Sequence, residues 1–435
     1  MNLSYTKQNI KEFFKTLHRF KIFNLILNKL LFFNLRFSNY FLVKYEYAKK
    51  NEFIHSYPLN ISLNTTNICN YRCVFCESIY FYNFAKEKAG KIFPNHINLD
   101  FIKKFERLFK RLIYIDFTSA SGEPLLNPYF INICKFLKKK HINLIVTTNG
   151  SLLDKFIAAN LVDMKFNHIT ISMHSGEEKN YHELMGGDFN KVLNNIEYLI
   201  KVKKKKGIDL PKISINCLIS TLNQHTIKNL IKKVKALDVN LNLYNYYASR
   251  NKVNEDISFY STPEAGSKFL EDIYQYAESL NFKLLSINSN FIENRENEDS
   301  CKNYICDHPW KSLEFRGSVE FENSHYIGVC GRIMLFRLNY KEFDGDFHKD
   351  IWNHEIIKYL RKCSLKNPIC QFCQAPNRPK LRNLDNKQYQ IKRDIAIRDF
   401  FANIYGTIKI EPKKGIYLLN KNPYEYTNYY EKFQN

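Results

Sequence analysis

The chain has no uninterrupted apolar run approaching the roughly 20 residues that a membrane-spanning helix needs, so an integral membrane protein is not expected. Nor does a short apolar core with a small-residue cleavage site follow the first residues, so a secretory signal is not expected either. Acidic side chains are in deficit: 43 Asp and Glu stand against 65 Lys and Arg, a formal charge of +22. A field of that sign favours anionic partners, whether nucleic acid, anionic lipid or a phosphorylated substrate, unless it is only a basic surface. No specific nucleic-acid signature accompanies the charge. There is no internal repeat, and no cysteine after Cys373.

At 435 residues the chain exceeds one compact core, so a catalytic domain plus at least one smaller unit is expected. Hydrophobic residues make up 45% and aromatics 15%, enough to make the chain mostly globular. The eleven cysteines fall in groups: Cys69, Cys73 and Cys76, then Cys301, Cys306, Cys330, Cys363, Cys370 and Cys373. Close groups without a secretory signal point to metal binding in a reducing, cytoplasmic setting rather than to disulfides. Cys134 and Cys217 stand alone and read as core residues.

Residues 1–57 form a basic leader. Ile10, Phe13, Phe14, Leu17 and Phe20 recur at helical spacing, interleaved with Lys7, Lys11, Lys15, Arg19 and Lys21. Such a segment either lies on the inner face of a membrane, as a peripheral contact, or packs against the main domain. From residue 58 to 250 strand and helix patterns alternate. Strands are expected at Ile61–Thr65, Tyr114–Thr118, Leu144–Thr148, His168–Ser172, Ile213–Ile219 and Leu241–Tyr246. Helices are expected at Phe101–Leu112, Tyr129–Lys139, Leu152–Asn160, Phe189–Lys204 and Thr226–Leu237. About six βα units predict an α/β fold: a partial (βα)6 TIM-type barrel with its site where the βα loops meet. A helix (Pro263–Leu280) and a polar linker occupy 251–300. A small Cys-rich unit is expected over 301–380, and a polar, Tyr-rich tail over 381–435.

The first cysteine group reads Cys69-Asn-Tyr-Arg-Cys73-Val-Phe-Cys76 and follows the first predicted strand. Thiolates at short spacing suit an iron–sulfur cluster, and three leave one iron of a cubane open. Zinc with a fourth ligand from elsewhere is the other reading of the spacing. CxxxCxxC with an aromatic, Phe75, before the last Cys resembles the signature of the radical S-adenosylmethionine (SAM) superfamily. The resemblance covers roughly residues 58–250. It implies a [4Fe-4S] cluster on Cys69, Cys73 and Cys76 whose open iron chelates SAM, with an external one-electron reductant. Ser121-Gly122-Glu123-Pro124 after the second strand resembles the family's GGEP motif, with Ser121 in place of the first Gly. There the loop backbone and the Glu123 carboxylate are expected to receive the SAM amino group. Asn149 (in Thr147-Thr148-Asn149-Gly150), Ser172 and Asn216 match polar positions at the ends of the next strands that approach SAM in the family. The chain departs from the pattern between Tyr181 and Gly187, where many relatives carry an Arg for the SAM carboxylate. His182 and Lys179 are the nearby candidates, and neither is assigned.

The second group resembles the auxiliary-cluster extension of such enzymes called SPASM, or its shortened twitch form. Pro309-Trp310 follows Cys306, a hairpin-like stretch through Gly317 leads to Cys330, and Cys370 and Cys373 form a CxxC. Six cysteines cannot hold two four-thiolate clusters. One auxiliary Fe–S cluster is implied, on Cys306, Cys330, Cys370 and Cys373, with Cys301 and Cys363 spare; structural zinc suits the same set. Gly331-Arg332 follows Cys330, where sulfatase-maturing relatives carry an Asp. The expected activity is hydrogen abstraction by a 5′-deoxyadenosyl radical from an unidentified substrate: a peptide, a sugar or a lipid-linked precursor, with an anionic one favoured by the charge. A tRNA-modifying radical SAM enzyme and a zinc-binding non-enzymatic module are the alternatives.

Overall fold

The computed structural model describes residues 21–76, 94–118, 122–245, 257, 263–284, 286–287, 306–318, 321–329, 334–362, 410 and 412–419. Ser121, Cys301, Cys330, Cys363, Cys370, Cys373, the expected 288–300 linker and nearly all of the Tyr-rich tail lie outside these residues, as does the leader before Lys21.

Helix α1 (Lys21–Lys49) leads to strand β1 (Asn60–Leu63). Its buried side chains cap the segment that follows. Asn39 exchanges two hydrogen bonds with the Tyr57 backbone, and the Glu46 carboxylate accepts the N–H groups of His55 and Ser56 at 2.7 and 3.1 Å. Arg36 donates to the carbonyl of His141 at 2.6 Å. This half of the leader therefore packs on the domain. Its outer face still carries exposed Phe37, Tyr40, Phe41 and Tyr45. No helix among the described residues is long and apolar enough to cross a membrane.

After β1 come α2 (Leu99–Lys104), α3 (Glu106–Phe109), β2 (Tyr114–Asp116), α4 (Phe130–Lys138), β3 (Asn143–Thr148), α5 (Lys155–Asp163) and β4 (His168–Ser172). Then follow α6 (Glu178–Met185), α7 (Phe189–Lys206), β5 (Lys212–Ile219), α8 (Ile227–Leu237) and β6 (Asn240–Asn245). Helix starts use local side-chain caps: Asn98 for α2, Asp154 for α5 and Asp188 for α7 each accept first-turn N–H groups. Gly186 and Gly207 end α6 and α7 in the left-handed conformation.

Strands β1 to β6 are parallel neighbours in chain order, as six βα units require. The sheet does not stop there. Helix α9 (Pro263–Ser279) leads to a short parallel β7 (Ser286–Ile287) beside β6. The chain then returns to the opposite edge through α10 (His308–Lys311), and β8 (Ser312–Gly317) pairs with β1 in parallel. Strands β9 (Ser324–Gly328), β10 (Phe336–Asn339) and β11 (Ile416–Leu418) extend that edge antiparallel, and β8–β9 is the hairpin read before Cys330. The segment expected as a separate Cys-rich unit thus begins inside the same sheet.

One parity of the strands is apolar and fully buried under the helices: Ile61, Ile115, Val146, Ile169, Ile215 and Leu243 are all 0% exposed. Cys134 on α4 and Cys217 on β5 belong to this core. The other parity is polar and lines the concave face. Ser62 is flanked in register by Asp116 on β2 and Glu314 on β8. Ser172, Asn216 and Asn242 form one row across β4, β5 and β6.

Candidate active site

The cysteine loop leaves the C-terminal end of β1 and is held on three sides. Val74 N–H donates to Leu184 O at 2.9 Å, and the Cys73 thiol approaches Met185 O at 3.6 Å, so the end of α6 supports the middle of the loop. Gly187 lets Tyr71 close against the same turn, since a Cβ there would lie 2.1 Å from the Tyr71 ring. On the side of β3, Asn149 Nδ2 donates to Asn70 Oδ1 at 2.9 Å, and Asn70 Nδ2 donates to Ser151 Oγ at 2.9 Å. The third support is the loop after β2. Glu123 N–H donates to Ile68 O at 2.7 Å, and Gly122, at φ +103°, lies where a Cβ would stand 2.1 Å from Thr66 O. Only glycine fits that crossing of two loops.

The Glu123 side chain is hydrogen-bonded by the chain itself. Its residue is 2% exposed. Oε1 accepts Thr148 Oγ1–H at 2.5 Å and Leu125 N–H at 3.1 Å, and Oε2 accepts Asn149 N–H at 2.8 Å. Burial raises its pKa, with these donors acting in the opposite direction. The carboxylate is a brace between the β2 and β3 loops, and Pro124 opens the short helical turn that carries Leu125 onto it. Asn149 is likewise occupied: its Oδ1 accepts both the N–H and the hydroxyl of Ser151, at 2.9 and 2.7 Å. Ser172 and Asn216 are half-buried on the concave face, and Asn216 Oδ1 accepts from Asn242 at 2.9 Å. The Ser172 hydroxyl has no hydrogen-bond partner among the described residues.

Cys69, Cys73 and Cys76 are all free and partly buried. Burial pushes the Cys69 thiol up to about 11 and raises Cys73 as well, so these two bare thiols are protonated at neutral pH. Iron binding would convert them to thiolates. No three His, Cys, Asp or Glu side chains among the described residues gather around one point as a single metal ion requires. A cubane does not ask for that, because each cysteine meets a different iron. Three thiols on one loop, held on three sides, fit such a cluster. Cys306 is half-buried two residues before α10. His182, a carboxylate candidate, is near Gly187 O, its Nδ1 3.3 Å away.

Sequence reasoning missed α6, whose polar composition hides its role under Cys73. It also missed Thr148, Asn70 and His174. The His174 ring lies edge-on to Phe75 with centroids 5.4 Å apart. Deeper in the concave face, Asp116 accepts the Thr118 N–H at 2.8 Å, and burial raises its pKa. Arg316 pairs with Glu314 at 2.5 Å, and His168 Nε2 meets Ser214 Oγ at 2.7 Å. This face of the sheet is mostly polar, with Ile145 and Leu218 among the polar positions.

Comparison with known proteins agrees with this geometry. Residues 63–234 match the model of the radical SAM superfamily. A "Probable GTP 3',8-cyclase" of Thermococcus kodakarensis is 30% identical over 143 residues, 33% of this chain and 44% of that protein. A protein of the same name from Methanococcus vannielii is 27% identical over 348 residues, 74% of this chain and 99% of its own. The chain thus spans less than half of the first relative and nearly all of the second. Streptococcus suis SuiB, crystallised with S-adenosylmethionine, superposes with a TM-score of 0.50 at 17% identity, over 75% of this chain and 72% of that one, which supports a shared fold. Enzymes of this superfamily use a [4Fe-4S] cluster and SAM. With a thiol triad on the loop after β1 of a parallel sheet, and these matches, the chain carries a radical SAM domain.

Proposed function

We propose that the chain cleaves SAM at a cluster on Cys69, Cys73 and Cys76 and acts on a hydrophilic substrate held in the lumen. The bound cluster and SAM supply one chemistry: an electron from an external reductant breaks the sulfonium C–S bond, giving methionine and a 5′-deoxyadenosyl radical that takes a hydrogen atom from substrate. The chain's own residues position these groups. Gly122 and Pro124 set the loop backbone beside the cysteines, while Glu123 and Asn149 hold that loop and the β3 loop in register. Phe75 supplies an apolar wall, and Ser172 and Asn216 supply polar groups at the lumen's rim.

The observation that carries the reading is the cysteine loop itself, pinned by the Glu123 and Asn149 network and by α6. The polar positions Ser62, Asp116, Glu314, Thr170, Ser172 and Asn216 on one face of the sheet support a substrate rich in hydrogen-bonding groups over an apolar chain. Both relatives carry a GTP cyclase name, and the chain's charge is +22, so a phosphorylated nucleotide is the first compound to try. An auxiliary cluster on Cys306, Cys330, Cys370 and Cys373 belongs to the same reading. The exposed aromatic face of α1 suits peripheral contact with an anionic membrane.

The test is anaerobic reconstitution, reduction and SAM, with 5′-deoxyadenosine followed by chromatography. Release of that nucleoside by the wild-type chain, lost in Cys73→Ala, is the expected result. A reconstituted chain that binds zinc and releases none would overturn the reading.

A further inference from the structure

Helix α1 crosses the pole of the domain opposite the cysteine loop. Three contacts fix it there, each at the start of a strand. Asn39 bonds the Tyr57 backbone just before β1. The Trp310 indole, just before β8, donates to Asn51 O at 3.0 Å beyond the end of α1. Arg36 donates to the carbonyls of Lys140 and His141, just before β3. Strands β8, β1, β2 and β3 are parallel neighbours, so their starts lie together, and the cysteine loop leaves the other end of β1.

The outward face of α1 is aromatic. Phe37, Phe41 and Tyr45 recur every four residues and are 53, 54 and 58% exposed. Phe37 and Tyr40 each meet Phe41 edge to face, at 4.7 and 5.5 Å, and Lys44 Nζ lies 5.7 Å from the Tyr40 ring. The helices over the sheet run back against the strands, so their C-terminal ends reach this same pole. Exposed lysines gather there: Lys139 after α4, Lys165 after α5, Lys204 and Lys205 ending α7, and Lys212 opening β5. None of these five forms an ion pair among the described residues. The acids of the same turns are Asp163, Asp209 and Asp238, and Asp163 is already paired with Lys206. A helix dipole accounts for a basic residue at each C-terminus. It does not account for the run Lys203–Lys206 or for the bare rings beside this charge.

We propose that this pole seats the protein on an anionic membrane surface, with the α1 rings at headgroup depth and the lysine-bearing turns over the lipid charges. A nucleic acid would answer the charge, but rings protruding from a convex helix match a bilayer interface better. The orientation rests on the reading of α1 as a peripheral contact and extends it to the strand starts. It turns the cysteine loop away from the bilayer, so substrate arrives from water, which favours a soluble substrate over a lipid-linked one.

Binding of the full chain is measured by sedimentation with vesicles of phosphatidylcholine and phosphatidylserine, and with phosphatidylcholine alone. A lysine near an anionic surface is worth about fivefold in affinity. Lys139→Gln, Lys204→Gln and Lys205→Gln together should therefore weaken binding to the anionic vesicles about a hundredfold. Lys155→Gln, Lys191→Gln and Lys228→Gln remove the same charge from the helix starts at the other pole and should leave binding close to wild type. Phe41→Trp reports on α1 itself. Trp310 and Trp352 are both 0% exposed, so a blue shift on adding anionic vesicles comes from position 41 and is the expected result. A first triple variant that binds no more weakly than the second, or emission indifferent to bound vesicles, overturns the orientation and leaves membrane contact standing. Equal binding to both kinds of vesicle overturns the role of the lysines. A chain that ignores both overturns membrane contact as well, and capture of single-stranded RNA through the same lysines instead would give the pole to nucleic acid. SAM cleavage stands in every case.

Discussion

Replacing Glu123 by Gln tests whether this carboxylate is a brace or a ligand. The change keeps size and removes one acceptor oxygen. In one amide orientation the oxygen takes the Leu125 N–H and the Thr148 hydroxyl, and the new NH2 faces the Asn149 N–H. In the other, the oxygen serves Asn149 and the NH2 faces the Leu125 N–H. Either way a backbone donor is left opposing a donor in a site 2% exposed. A charge-assisted bond is worth about 1.5–3 kcal/mol, and an unmet buried donor costs about 1–3 kcal/mol. These overlap, so a loss of about 2–4 kcal/mol is expected for Glu123→Gln. Part is returned because the wild-type carboxylate also bears a burial penalty, shown by its raised pKa. Urea denaturation of the cluster-free protein, read by circular dichroism, measures it. A loss under about 0.5 kcal/mol, well below one buried hydrogen bond, would refute the brace. If affinity for S-adenosylhomocysteine then fell more than about tenfold, worth about 1.4 kcal/mol, the side chain would be a ligand after all.

Gly122→Ala forces a Cβ to 2.1 Å from Thr66 O at φ +103°. It should cost about 1–3 kcal/mol in backbone strain alone and lower cluster incorporation; normal iron content and stability would contradict the loop crossing. Acid should destabilise the cluster-free fold through His174 and His354, both held near 4 by burial. The unfolded rings protonate near 6.5 and the folded ones only near 4, so their contribution is intact above the unfolded value. It falls as pH drops through that window, by about 1.4 kcal/mol per ring per pH unit. Stability that is flat between those values would exclude the burial of both rings. Replacing Phe37 and Phe41 with Ser should abolish sedimentation of the full chain with anionic phospholipid vesicles without changing its melting temperature; unchanged sedimentation would remove α1 from any membrane contact.

Much of the site could be read before the structure because its chemistry is local. Cys69, Cys73 and Cys76 occupy one loop, and the strand His168–Ser172 has the same ends in both descriptions. Apolar Ile, Leu and Val on one parity of each strand exposed the βα rhythm. What stayed hidden is long-range. Nothing in the stretch Ser312–Gly317 says that it pairs with β1, more than 200 residues earlier. The occupation of Glu123 was invisible for a similar reason, since its partners Thr148 and Asn149 come from the next strand. Helix α6 escaped because its surface is polar and its contribution to Cys73 is made by backbone carbonyls. His174 looked like an ordinary residue after a strand, and only its fixed Nδ1 and its contact with Phe75 distinguish it.

The central claim is that Cys69, Cys73 and Cys76 hold a cluster that SAM approaches directly. Electron paramagnetic resonance of the reconstituted, reduced chain tests it most directly, before and after SAM is added. The account predicts a reduced-cluster signal whose g-values shift with SAM, and loss of that responsive signal in Cys73→Ala. A signal indifferent to SAM, or a responsive one that survives Cys73→Ala, would contradict it.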